Sequence, residues 1–124
     1  MSNEALTDLQ LSVMKALWQL GEGTVADVLA VLVSEGRELA PTTVATLLQR
    51  LKKQGWVKHK KSGRQFLYRA NVKQAEAAQS MLKRLLNSFF GGKVSALTAE
   101  LLGSEELSPD ELKQLHKLIK GKGD

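Results

Sequence analysis

The sequence of 124 residues contains no cysteine, which excludes disulfide bonds and metal sites built on thiolates. It also lacks any apolar run near the roughly 18 residues that a membrane-spanning helix needs. The N-terminal stretch MSNEALTD has neither the basic start nor the apolar centre of a signal peptide. We therefore expect a soluble protein of the cytoplasm.

The residue patterns of common catalytic and cofactor sites are missing as well. The sequence has no GxSxG, HExxH, CxxC, Walker or GxGxxG motif. Its two histidines lie in different segments: we interpret His59 as a hairpin residue near phosphate or solvent, and His116 as a solvated helix residue. The acidic pair Asp110–Glu111 is explained by helix capping. We therefore predict that the protein is not an enzyme and binds no cofactor and no metal.

Acidic residues are absent from the middle of the chain, residues 39–75, although this block carries nine lysines and arginines. Residues 1–38 carry six acids and two bases, and residues 76–124 carry seven of each, so the net charge of +5 arises from the middle block. A localised basic block predicts a polyanionic partner such as nucleic acid. A merely solubilising face is the alternative, and the lack of any carboxylate over 37 residues disfavours it.

Apolar periodicity and capping residues predict three helices in the first half of the chain. The first begins after Thr7, where Gln10 can complete a capping box. The second begins after Thr24 and stops at Gly36, and the third has Pro41 in its first turn, where a missing N–H costs nothing. The inner face of the first helix is predicted to consist of Leu9, Val13, Leu17 and Leu20.

Two further segments complete a recognisable order of elements. Residues 37–40 (RELA) are too few for a helix and are predicted to form a short strand. Residues 56–70 alternate with period two around a Ser-Gly turn, which predicts a β-hairpin. Helix, helix, short strand, helix and hairpin is the order of a winged helix-turn-helix domain. From Val72 onward the composition favours helices, so we predict a mainly α fold with a small β wing: a winged-helix domain at residues 1–71, then a three-helix domain at residues 72–124.

The third helix has two chemically different sides. Val44, Leu47, Leu48 and Leu51 form a predicted core stripe. The other side offers threonine, amide and cationic side chains, which suit a major groove because hydroxyls bond phosphates or base edges and methyls contact thymine. The candidate DNA-binding residues are Thr42, Thr43, Thr46, Gln49, Arg50 and Lys53 on this helix and Lys60, Lys61 and Arg64 on the hairpin. The alternative is a winged-helix module for protein–protein interaction, without specific DNA reading.

The C-terminal helices present apolar faces that three short helices cannot fully enclose. We interpret these faces as a seam for a second copy of the chain, which makes the protein a homodimer. Packing of the same residues against the chain's own N-terminal domain is the alternative. The candidate dimerisation residues are Ala78, Leu82, Leu85, Leu86, Phe89, Leu112, Leu115 and Ile119.

Nearly the whole chain resembles the penicillinase-repressor (BlaI/MecI-type) family of winged-helix transcriptional repressors. The resemblance rests on the stretches LTDLQLSVMKALW, TTVATLLQRLKKQG, HKKSGRQFLY, NSFFGGKVSALTAELL and LSPDELKQLHKLI. It implies a homodimeric repressor that binds double-stranded DNA at an inverted-repeat operator and dimerises through its three C-terminal helices. In that family, signalling ends with a regulatory protease cutting the C-terminal domain.

The chain departs from this family at two points. Copper-responsive relatives carry a C-terminal cysteine motif, and the absence of cysteine excludes that mode of sensing here. Antibiotic-responsive members are cut at an Asn–Phe bond, which alignment places at Glu100–Leu101 in this sequence. Both side chains at that bond are changed, so cleavage there is an expectation from the resemblance alone.

Overall fold

The structure of the protein, a computed structural model, describes residues 5–123 without the side chains of residues 119, 120, 122 and 123. The chain divides into two compact units, residues up to 81 and residues from 82 onward. None of the described helices is both long and apolar enough to cross a bilayer. The elements are α1 (Asp8–Leu20), α2 (Val25–Ser34), α3 (Pro41–Lys53), β1 (Val57–Ser62), β2 (Gln65–Ala70), α4 (Gln74–Phe90), α5 (Val94–Gly103) and α6 (Pro109–Gly123).

Capping boxes fix the starts of the first two helices. Thr7 accepts a hydrogen bond from the backbone N–H of Gln10 at 3.1 Å, and the Gln10 side chain accepts one from the N–H of Thr7 at 3.1 Å. Thr24 and Asp27 make the same reciprocal pair at 3.2 and 3.0 Å. The Gln10 amide also donates to the Gln54 side chain at 3.2 Å. This bond gives the buried side chain of Gln10 a polar partner, and it connects the start of α1 to the end of α3.

The three helices of the first unit close around one core that also includes the hairpin. Leu17 of α1, Leu32 of α2 and Leu48 of α3 are fully buried, and Trp56 and Tyr68 cover them from the hairpin side. Trp18 is half-buried, and its indole N–H donates to the Val72 carbonyl at 2.9 Å. The winged-helix fold predicted from the sequence is thus confirmed.

Two predictions about the end of α1 and the segment before α3 are wrong. Leu20 is 38% exposed because α1 ends there, and its side chain covers the backbone at Gly23, where an added Cβ would lie 3.2 Å from Leu20 Cδ1. Residues 37–40 form no strand. Ala40 is extended (φ −73°, ψ 147°) because the following Pro41 disfavours helical backbone before it, and not because it pairs with a neighbouring strand.

The strand partner of the hairpin lies instead in the loop between α1 and α2. Gly23 exchanges two backbone hydrogen bonds with Tyr68, at 2.9 and 2.8 Å. An added Cβ on Gly23 would meet the Asp27 side chain at 3.1 Å, which is tighter than an ordinary contact. Since β2 pairs with β1 on its other edge, β2 lies between β1 and this loop.

The second unit consists of the remainder of α4 with α5 and α6. Ser108 accepts a hydrogen bond from the Glu111 N–H at 3.2 Å, which confirms it as the N-cap of α6. Leu112 and Leu115 are half-buried and, with Leu102, line a small apolar cavity between α5 and α6. The boundary predicted after Asn71 lies earlier than this division, because the first turns of α4 belong with the winged unit.

We expect Leu48→Ala to lower the free energy of unfolding by about 2–5 kcal/mol, because it removes a fully buried side chain at the centre of the core. Val33→Ala is the control, since Val33 is 51% exposed on α2, and we expect a change within about 0.5 kcal/mol. Both tryptophans lie in the first unit, so urea unfolding followed by tryptophan fluorescence reports on it. Equal losses from the two substitutions would contradict this placement of Leu48.

Candidate nucleic-acid interface

The buried stripe of α3 determines which of its side chains reach solvent. Val44, Leu48 and Leu51 are fully buried, so the positions between them point away from the core. The six candidate DNA-binding residues of this helix are exposed: Thr42, Thr43, Thr46, Gln49, Arg50 and Lys53. A helix with one face packed and a continuous polar face free has the geometry that major-groove binding requires.

The exposed face of α3 carries a shallow, open depression. A depression of about 310 Å³ is lined by Thr42, Thr43, Thr46, Leu47 and Arg50. Leu47 was predicted to belong to the core stripe, and the structure corrects this: it is only half-buried. One side of Leu47 packs on the core, while another side forms part of the depression. Helical periodicity could not reveal this double role, since Leu47 lies at the edge of the apolar stripe.

The hydroxyl of Thr46 is engaged within the helix. It donates a hydrogen bond to the Thr42 carbonyl, one turn earlier, at 2.9 Å. Threonine often makes this bond in helices, because the carbonyl of residue i−4 lies within reach of its side chain. The proton of this hydroxyl is therefore unavailable to a base edge unless the helix bond is broken.

The hairpin places its cations on two faces. Residues 63 and 64 form a two-residue turn, in which Gly63 has a φ of +64°, as primed hairpin turns require. Lys61 pairs with Phe66 across the strands, whereas Lys60 pairs with Leu67. Adjacent side chains in a strand point to opposite faces, so the predicted cations Lys60 and Lys61 diverge. Both are exposed, as is Arg64 at the turn.

No sequence pattern indicated that a carboxylate lies beside the hairpin. Lys60 Nζ lies 3.8 Å from Glu22 Oε2, in the loop after α1. Both side chains are substantially exposed, so this pair contributes at most about 1 kcal/mol and is screened by salt. Arg50, Lys61 and Arg64 form no ion pair within the described residues. Their charges are therefore available to an anionic partner.

Three rings cluster on one face of the hairpin. The His59 ring centroid lies 4.3 Å from that of Phe66 and 5.3 Å from that of Tyr68. His59 was predicted to lie near phosphate or solvent, but it is half-buried, and its Nδ1 has no hydrogen-bond partner among the described residues. The cross-strand pairing of His59 with Tyr68 brings the rings together, which single-strand alternation could not show.

Comparisons with known proteins agree with this geometry. A sequence model of the penicillinase repressor family matches residues 6–121. The chain is 29% identical to a penicillinase repressor of Bacillus licheniformis, over 92% of this chain and 88% of that one.

Solved structures match the winged unit. The DNA-binding domain of the repressor BlaI is 32% identical, with a TM-score of 0.53 over 60% of this chain and 90% of that chain. The monomeric form of Bacillus licheniformis BlaI, solved in complex with the blaP half-operator, is 32% identical, with a TM-score of 0.51 over the same shares.

We expect the phenol of Tyr68 to titrate at a higher pH in the folded protein than in the unfolded chain, because burial raises its pKa above the ordinary value of 10.0. Its contribution to stability is therefore complete below about pH 10 and is lost as the pH rises through the folded pKa. Tyr68 is the only tyrosine, so tyrosinate absorbance in buffer and in urea measures it alone. Identical midpoints would contradict its burial, and Tyr68→Phe, which keeps the ring, should abolish the signal.

Proposed function

Because the chain belongs to the penicillinase repressor family, a family of DNA-binding transcriptional repressors, we propose that it represses transcription as a homodimer bound to an inverted-repeat operator in the cytoplasm. The observation that carries the proposal is the exposed, acid-free face of α3 beside a basic hairpin. A carboxylate on either element would face phosphates at close range.

The proposed contacts of α3 are of two kinds, with bases and with phosphates or base edges. Arg50 lies on the rim of the depression, and its planar guanidinium suits the two acceptors of a guanine edge. Thr43 also borders the depression, and its hydroxyl makes no hydrogen bond within the described residues. The proposed base contacts are Thr43, Thr46 and Arg50, with Thr42, Gln49 and Lys53 as phosphate or edge contacts.

On the hairpin we assign backbone contacts. Arg64 at the turn and Lys61 on the face shared with Phe66 are exposed, and each adds one positive charge that can replace a counterion on a phosphate. Lys60 contributes through the opposite face and must first leave Glu22. These contacts carry little sequence information and fix the position of the domain on the duplex.

Dimerisation is proposed for the apolar residues of α4 and α6. Phe89 is 77% exposed, and Leu82 and Leu85 are also exposed in a single chain. Ala78 is exposed, whereas Leu86, Leu112 and Leu115 are half-buried. Fully burying one large apolar side chain stabilises by about 1.5–3 kcal/mol, and association costs about 4–15 kcal/mol. Several of these side chains must therefore be buried together for the association to be favourable. Ile119, the remaining candidate, lies outside the side chains that the structure describes.

We expect Arg50→Ala to lower affinity for the selected operator by about 1–3 kcal/mol and to relax specificity at one base pair. Arg64→Ala should weaken binding to all duplexes about equally and reduce the slope of log affinity against log salt by about one. The measurement is selection of bound duplexes from a random pool, followed by salt titrations of each variant.

The reverse pattern in these titrations would mean that the roles of α3 and the hairpin are exchanged. Binding with no salt dependence and no palindromic preference would overturn the proposed function. That result would instead favour a winged-helix module for protein–protein interaction.

Regulation by proteolysis extends the proposal. The Glu100–Leu101 bond lies inside α5, and both residues are exposed. Cleavage there would separate Thr98 from Leu102, which line the same cavity against α6, and would detach α6 from the chain. The winged unit would keep its core, since its buried residues precede residue 82.

We expect a chain of residues 1–100 to remain folded in its winged unit, to be monomeric and to bind the operator more weakly, because two linked half-site contacts become single ones. Sedimentation gives the mass, and titration gives the affinity. A truncated chain that stays dimeric and binds as tightly as the full chain would rule this mechanism out.

Full-length variants provide the matched controls for truncation. Phe89→Glu places a charge on the proposed seam and should also give monomers. Val33→Glu places the same charge on an exposed residue of α2 and should leave the dimer intact.

A further inference from the structure

The depression on α3 contains an apolar surface that the proposed hydrogen-bond contacts do not use. The Thr46 hydroxyl is turned back to the Thr42 carbonyl at 2.9 Å. Since the hydroxyl and the methyl are attached to the same Cβ, a hydroxyl held against the helix backbone leaves the methyl as the outer group. Thr46 therefore presents carbon to a partner.

Leu47 extends this surface. It is half-buried and lines the depression together with Thr46 and Arg50. Its inner side packs on the core, so its position is fixed by packing and requires little ordering when a partner binds. Arg50 follows by three and four residues, the spacing that places side chains next to one another on a helix.

We infer that this depression selects a thymine, whose 5-methyl packs against the Thr46 methyl and Leu47 beside the base pair that Arg50 reads. Among the four bases, only thymine carries a methyl in the major groove. The surrounding face is acid-free and cationic, which suits a methyl presented by a polyanion and not a free apolar ligand. The inference rests on the proposed function and adds a specificity-determining residue, Leu47, to it.

Reading by the Thr46 hydroxyl is the competing interpretation, and it predicts different chemistry. A hydroxyl that donated to a base edge would have to exchange its bond to Thr42 for one to the base. Such a contact would discriminate by base acceptors and not by the methyl. Removing the methyl from the DNA, with every hydrogen-bonding group retained, therefore separates the two interpretations.

The first experiment replaces each thymine of the selected operator with uracil, one symmetric pair at a time, and measures the affinity of the full-length protein. Burial of one methyl corresponds to about a fourfold change in affinity. At one position in each half-site, we expect the replacement to lower the affinity about fourfold per half-site, and so about 15-fold for the symmetric pair. The other thymines should change affinity less than twofold.

The second experiment repeats the sensitive replacement with two variants of the exposed Thr46. Thr46→Val keeps the methyl and removes the hydroxyl, so it should keep the preference for thymine over uracil. Thr46→Ser keeps the hydroxyl and removes the methyl, so it should lose a large part of that preference. Both changes lie on an exposed side chain, so the core stays intact, and operator-independent binding to random duplex provides the control for folding.

The outcomes distinguish the inference from the function on which it rests. Specific palindromic binding with no uracil effect at any position would overturn the inference and leave the function standing. Loss of the preference in Thr46→Val with retention in Thr46→Ser would also overturn it, in favour of the hydroxyl. Absence of any sequence-specific binding would overturn both.

Discussion

The burial of Val44, Leu48 and Leu51 is the constraint on which the rest of the structure depends. These side chains fix the rotation of α3 about its axis. If the buried stripe were shifted by one position along the sequence, the exposed face would turn by about 100°. The shallow depression around Thr46 and Arg50 faces solvent because that rotation is fixed. Core packing and the proposed recognition of DNA therefore use opposite sides of one helix.

The hairpin is positioned by the same core through backbone bonds. Trp56 donates its N–H to the Leu51 carbonyl at 2.9 Å and accepts from the Asn71 N–H at 2.8 Å. These backbone bonds join the end of α3 to the residues that flank the hairpin, and the indole of Trp56 is buried in the core. Gly23 adds a second attachment at Tyr68. Because the attachments are backbone bonds to buried residues, the cations of the hairpin can vary without moving the hairpin itself.

Local signals predicted most of this architecture, and tertiary contacts account for what they missed. Capping at Thr7 and Thr24 depends on neighbours three residues away, so the sequence shows it directly. The extended backbone before Pro41 is also a local feature. Whether it pairs depends on a free edge of a distant strand, and the free edge of β2 pairs with Gly23. The partial exposure of Leu47 was not predicted for a similar reason. A residue at the margin of the apolar stripe is buried or exposed according to the tertiary contacts around it.

The two units differ in how much apolar surface a single chain can bury. The winged unit encloses a continuous core, whereas α5 buries none of its side chains fully, and Leu102 and Phe89 remain exposed. A unit in that condition gains stability from whatever covers it, so its folding and its association are linked by mass action. Under the proposed dimerisation, a change in the second unit alters occupancy of DNA without touching α3. The proposed function thus assigns DNA reading to the first unit and its regulation to the second.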